Sequence, residues 1–227
     1  AVKEYALAHE QPLLQPTNLK DESFLTELKA LNANLQIVVA FRMLPKVVWE
    51  MPSFGTFNHH ASLLPNYRGA APINWAIING ENKPGVTTFF IDDQIDTGAM
   101  ILNAETPIGK TESAGELHDR LMQLGSETVI QTLSLLEKGK VTTTIQKDTP
   151  DIKTAYKLNK ENCKIDWTKS ATEIHNLIRG LSPYPAAWCF FSDKGEQWNI
   201  KIYEACIVNE PHLLSIGQLV CAKKEMK

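Results

Sequence analysis

Leu35-Gln-Ile-Val-Val-Ala40 is a short, nearly continuous apolar run rich in β-branched residues, the pattern of a strand covered on both faces. Upstream, Asp21 can cap a helix that carries Phe24, Leu25, Leu28 and Leu31. Downstream the alternation continues. Gly55-Thr-Phe-Asn-His-His60 reads as a strand end, Pro72 to Asn79 as a short helix, and Gly85-Val-Thr-Thr-Phe-Phe-Ile91 as another strand. Ser113 and Glu116 then form a capping-box pattern ahead of a long helix with Leu117, Leu121 and Leu124 on one face. Strand and helix alternating in this way predict an α/β fold with a doubly wound, mainly parallel sheet, whose ligand sites lie beyond the carboxyl ends of its strands.

After Lys147-Asp-Thr-Pro150 the texture changes. One helical segment near Thr168 to Leu181 is followed by short strand-like runs at Ala187 to Ser192, Trp198 to Val208 and Ser215 to Cys221. The expected organisation is therefore an α/β domain over residues 1–148 and a small β-barrel domain over residues 149–227.

Composition sets the outer bounds. With 227 residues, 43% hydrophobic and 22% charged, the chain can bury one large core or two small ones. No apolar stretch approaches the roughly 20 residues that cross a bilayer, so the expectation is a cytoplasmic protein with no membrane partner. The net charge of -3 argues against a generic polyanion coat, but it divides into -5 over residues 1–150 and +2 over residues 151–227. Cys163, Cys189, Cys206 and Cys221 are too widely spaced for a CxxC site and too sparse for a disulfide scaffold.

The densest cluster of unusual residues is Phe57-Asn-His-His-Ala-Ser-Leu-Leu-Pro-Asn-Tyr-Arg-Gly-Ala-Ala-Pro-Ile-Asn-Trp75. Side chains alternate across a strand, so Asn58 and His60 share one face while His59 points to the other. Further on, Gly85-Val-Thr-Thr-Phe-Phe-Ile-Asp-Asp-Gln-Ile-Asp-Thr-Gly98 ends in three carboxylates, of which Asp96 precedes Thr97 and Gly98 in a turn-like setting. Taken alone, each of these residues is as well explained by a satisfied structural histidine or a solvated loop carboxylate.

Taken together, Asn58-x-His60, Ser62-Leu-Leu-Pro65, Arg68-Gly69, Gly85-Val-Thr87 and Asp96-Thr-Gly98 resemble, in order and spacing, the core motifs of the folate-dependent formyltransferases. The likeness extends through Val38-Val-Ala-Phe-Arg-Met-Leu-Pro45 and through Ile165-Asp-Trp167 and Ile178-Arg-Gly-Leu-Ser-Pro-Tyr-Pro-Ala-Ala-Trp188, and covers residues 1 to about 192. It implies a Rossmann-like domain that lacks the family's opening strand and glycine-bearing turn, followed by an OB-like barrel cut short.

What the resemblance implies for the site is specific. The family's catalytic asparagine, histidine and aspartate fall on Asn58, His60 and Asp96. Its folate-contacting positions fall on Phe41, Met43, Leu44, Ser62, Leu63, Leu64, Pro65 and Asp92, with 10-formyltetrahydrofolate as the formyl donor and no metal. The implied acceptor is the methionyl amine of initiator methionyl-tRNA, bound by one monomeric chain, with Arg68, Lys157, Lys160, Lys164, Lys169 and Arg179 as candidate tRNA contacts. Formyl transfer passes through a tetrahedral species bearing an oxyanion, so it needs a hydrogen-bond donor and a proton acceptor.

Three other readings compete. His59, His60 and Asp96 could be zinc ligands, although adjacent strand residues face opposite ways. The acceptor could be an amino sugar nucleotide. The chain could be a nucleic-acid-binding module on an inert α/β scaffold.

Overall fold

The computed structural model describes residues 2–39, 43–222 and 225–226, so Phe41 lies outside the described residues. Two helices open the chain, α1 (Val2–Ala8) and α2 (Glu22–Ala30). Asp21 caps α2 as its sequence suggests, accepting from the backbone nitrogens of Ser23 and Phe24 at 3.0 and 3.2 Å.

A four-stranded sheet follows, with the order β1 (Gln36–Val39), β2 (Thr56–His60), β4 (Gly85–Phe90), β5 (Met100–Glu105). Between these strands lie α3 (Lys46–Trp49), the two-residue β3 (Arg68–Gly69) and α4 (Pro72–Ile78). Only β1 and β2 run parallel; β2 with β4, and β4 with β5, are antiparallel. The mainly parallel sheet expected from the sequence is thus a mixed one. A continuous apolar run reports burial on both faces and carries no information about direction. The short 91–99 connection before β5 is what forces the hairpin sense, since a parallel return needs a crossover of about a dozen residues. β5 itself was not anticipated.

β4 is the central strand. Val86, Thr87 and Thr88 are fully buried and Phe89 nearly so. β1 departs from expectation in the other direction, because Ile37 and Val39 remain 42% and 58% exposed. Among the described residues β1 is paired on one side only.

The long helix α5 (Ala114–Glu137) begins at a full capping box between Ser113 and Glu116. Leu117, Leu121, Gly125, Thr128 and Thr132 form its buried stripe, spaced to stay on one face. Leu117 and Leu121 join Ile77 and Val86 in a core cluster. Each such leucine is worth about 1.5–3 kcal/mol of burial. Thr132 is held by its helix and meets Thr88 Oγ1 at 2.8 Å, which fixes the helix against β4.

Beyond residue 150 come β6 (Thr154–Ala155), α6 (Ala171–Leu181), β7 (Ala187–Asp193), β8 (Glu196–Ile202), β9 (Cys221–Ala222) and β10 (Glu225–Met226). Cys163, Ile165, Ile178, Leu181, Ala187, Trp188 and Cys189 make a second core. α6 lies on α4 so closely that a Cβ on Gly180 would stand 2.7 Å from Ile78. β7 and β8 form an antiparallel hairpin, and β9 and β10 a separate pair. The expected barrel is not closed among the described residues: the run through Val208 yields a strand only to Ile202, and residues 203–220 contain none. Alternating apolar residues mark what a strand could cover, but a strand forms only where a neighbour supplies hydrogen bonds. Cys163 and Cys189 are buried and Cys206 exposed, all three as free thiols.

Candidate active site

β2 presents two chemistries on two faces. On one, Asn58 and His60 stand opposite Phe89 and Thr87 of β4. On the other, His59 faces α5 at Gly125, where an added Cβ would lie 2.3 Å from its Nε2. The His59 Nε2 is buried without a hydrogen-bond partner. Burial, and then the neighbouring His60, push the His59 pKa below its usual value. His59 therefore cannot join His60 and Asp96 around an ion, and among the described residues no group of three His, Cys, Asp or Glu side chains could hold a metal.

His60 is 7% exposed, and its Nε2 lies 2.8 Å from the backbone oxygen of Tyr67. A carbonyl only accepts, so Nε2 carries the proton in this bond and Nδ1 is left facing inward. Nδ1 stands 3.7 Å from Asp96 Oδ2. Asn58 Oδ1 is buried with no partner. A bound molecule could supply the donor that this oxygen lacks.

The acceptor for His60 is itself held from several sides. Tyr67 has a left-handed backbone, φ 62°, and its hydroxyl donates to Glu81 at 2.5 Å while accepting from Asn79 at 3.2 Å. Burial, then the Glu81 hydrogen bond, raise the Tyr67 pKa. Burial alone would raise the Glu81 carboxyl, but hydrogen bonds from Lys153 and Tyr67 outweigh it and keep it below the usual range. Two residues on, β3 pairs in parallel with β6, matching Gly69 to Ala155. Gly69 has φ 119° and no room for a Cβ beside the Ala155 oxygen, so glycine is required there.

Asp96 reaches this cluster by a return. Because β4 is antiparallel, Phe90 leaves it level with Phe57, and the 91–99 segment turns back to bring Asp96 to His60. Asp96 also has a left-handed backbone, φ 55°, and its Oδ2 accepts from Gly69 N at 2.9 Å. Tyr67 was not singled out from the sequence, and Gly69 entered only within the Arg68-Gly69 motif; their contribution is through backbone atoms, which side-chain identity does not report.

The other expected site residues are placed as follows. Ser62 is buried, donating to the Asn66 oxygen at 2.7 Å while its own oxygen accepts from Thr87 at 2.7 Å. Leu64 is buried core, and Leu63 and Pro65 are half-buried beside it. Ser62 and Leu64 thus shape the loop. Asp92 Oδ1 accepts from Gln94 N and Thr97 Oγ1, at 3.0 and 2.7 Å, and so ties the turn that carries Asp96. Met43 and Leu44 line an open groove of about 740 Å³ with Thr17 to Lys20.

Two of the six basic residues are committed to internal partners. Arg68 donates to Gln146 at 3.0 Å and to Asp148 at 2.7 Å. Arg179 donates to Asn176 and to the backbone oxygens of Gly109 and Glu112, and burial lowers its pKa. Sequence shows a basic residue but not whether its fork is already filled. Lys157, Lys160, Lys164 and Lys169 are exposed. Lys160 and Lys164 lie 5.4 and 5.6 Å from the Trp188 ring centre.

The known proteins to which this chain is similar are formyltransferases. The family model "Formyl transferase" matches residues 2–133, and "Formyl transferase, C-terminal domain" matches residues 157–227. A methionyl-tRNA formyltransferase of Flavobacterium johnsoniae is 76% identical over the whole of this chain, which spans 72% of that protein. Among solved structures, a 4-N formyltransferase from Francisella tularensis superposes with a TM-score of 0.70 at 19% identity, over 90% of this chain and 82% of its own. HypX from Aquifex aeolicus, in complex with tetrahydrofolic acid, gives 0.63 at 22% identity, over 74% of this chain and 29% of its own. At such identities the two structures speak for the fold alone.

Proposed function

The chain belongs to the formyl transferase family, and we propose that it moves a formyl group from 10-formyltetrahydrofolate to the amine of initiator methionyl-tRNA, preparing that tRNA for translation initiation in the cytoplasm. The observation that carries this reading is the approach of Asp96 Oδ2 to His60 Nδ1, at 3.7 Å, with Asn58 on the same face of β2 as His60. The likeness over the whole chain to a methionyl-tRNA formyltransferase supports the choice of acceptor.

The amine nitrogen attacks the formyl carbon, a new C–N bond forms, and the bond from that carbon to the folate nitrogen breaks. Asn58 donates through its amide nitrogen to the oxygen that becomes anionic, and His60, with a proton on each ring nitrogen, does so through Nδ1 while Nε2 donates to Tyr67. Asp96, kept beside Nδ1, takes the proton lost by the amine and returns it to the departing folate nitrogen, so that no net proton is gained or lost. The groove at Met43 and Leu44 offers an apolar wall for the donor's flat ring, and Leu63 and Pro65 border the reacting end. Residues 1–148 would thus hold the chemistry and residues 149–227 the tRNA, whose phosphates meet Lys157, Lys160, Lys164 and Lys169.

The test supplies labelled 10-formyltetrahydrofolate with charged initiator tRNA or with an amino sugar nucleotide. Formyl-methionyl-tRNA is the expected product. A formylated sugar, or binding of tRNA with no transfer to either acceptor, contradicts the proposal.

A further inference from the structure

Gln146 lies between the two matched family segments, outside both, and is 8% exposed. Its Nε2 donates to the backbone oxygens of Asp96 and Gly98, at 2.9 and 2.8 Å. Its Oε1 accepts from Arg68 Nε at 3.0 Å. These partners fix which way the amide points, since carbonyls only accept and a guanidinium only donates. Both amide protons and the amide oxygen are therefore in use. Two residues earlier, Thr144 exchanges backbone hydrogen bonds of 2.8 and 2.9 Å with Met100, which anchors the segment to the start of β5.

What the amide clamps is a strained turn. Asp96 holds φ 55°, a backbone state that a non-glycine residue keeps only where its surroundings over-determine it. Gly98 is pressed against β4, with the Phe90 oxygen 1.6 Å from where a Cβ would be. Among the described residues the Asp96 carboxylate accepts one hydrogen bond, from Gly69 N at 2.9 Å, and stands 3.7 Å from His60 Nδ1. That single bond leaves the carboxylate free to swing unless the backbone beneath it is fixed.

We propose that Gln146 is a positioning residue for formyl transfer: its amide, clamped on the oxygens of Asp96 and Gly98, holds the Asp96 carboxylate at Nδ1 of His60. The inference rests on the assignment of Asp96 to the reaction. Gln146 touches neither substrate; it acts through Asp96.

Steady-state kinetics on Gln146→Ala and Gln146→Glu, each in the wild-type and in the Asp96→Asn background, test it. Gln146→Glu keeps the volume and the pairing with Arg68 but turns an oxygen toward two carbonyls, so it carries the test if Gln146→Ala fails to fold. In the wild-type background either variant lowers kcat about 10- to 100-fold, with both KM values shifted less than about threefold. With asparagine at position 96 the same changes cost less than about threefold more, because there is no proton acceptor left to position. Wild-type kcat in the Gln146 variants, or an equal loss in both backgrounds, overturns the proposal. Wild-type turnover by Asp96→Asn alone instead marks the failure of the parent assignment.

Discussion

His59 and His60 are neighbours in sequence and occupy opposite faces of β2. The His60 face is polar and articulated: a carbonyl on Nε2, a carboxylate beside Nδ1, and an asparagine amide two residues away. The His59 face is a packing surface, where the ring fills the space over Gly125 of α5 and Nε2 has no partner. The difference teaches that residue type does not decide whether a histidine does chemistry. What decides is which groups the opposing layer supplies, a helix with a glycine gap on one side and two left-handed loops on the other.

The largest effect should fall on the polar face. His60→Ala is expected to lower kcat per folded molecule by about 100- to 1000-fold, together with a stability loss of about 1–3 kcal/mol from the unpaired Tyr67 carbonyl. An active variant would erase the distinction between the two faces. On the packing face, Gly125→Ala should act on stability instead. Overpacking against the His59 ring costs roughly 1–3 kcal/mol, and the gain in helix propensity, about 1 kcal/mol, offsets part of it. Urea titration should therefore show a net loss of about 0–2 kcal/mol, with kcat per folded molecule within about twofold of wild type. A large kcat loss at full stability would mean that His59 works in the site after all.

A smaller effect sharpens the contrast through pH. Burial keeps the folded-state pKa of His59 below 6.5, so the unfolded chain binds the proton first as the pH falls. Its contribution is fully present above that value and is lost progressively below it. Between about pH 7.5 and pH 5.5, wild type should thus lose more stability in urea than His59→Gln does. Equal losses would show that His59 titrates as if exposed.

Local signals were legible in the sequence where a residue carries its own reason. Asp21 caps α2, Ser113 and Glu116 box α5, and alternation on β2 separates His59 from Asn58 and His60. Strand direction was not legible, because Val86 to Phe89 are buried identically in either sense. β5 was missed because Met100-Ile-Leu-Asn-Ala-Glu105 follows so closely on the Asp96 turn, with no helix between. In the candidate site, His60 and Asp96 were singled out from the sequence and stand 3.7 Å apart, but the backbone groups that hold them were not legible. Tyr67 acts through its carbonyl, Gly69 through its N–H, and Gln146 from a segment whose sequence has no motif. Ser62 and Asp92, which the resemblance gives as folate contacts, make hydrogen bonds within their own local turns.

The central claim is that Asn58, His60 and Asp96 act on one reacting carbon. The most direct test is the rate of formyl transfer by Asp96→Asn with both substrates saturating, alongside folate affinity by calorimetry. The account predicts a rate at least about 100-fold lower with the affinity for folate unchanged. Transfer at the wild-type rate would contradict it.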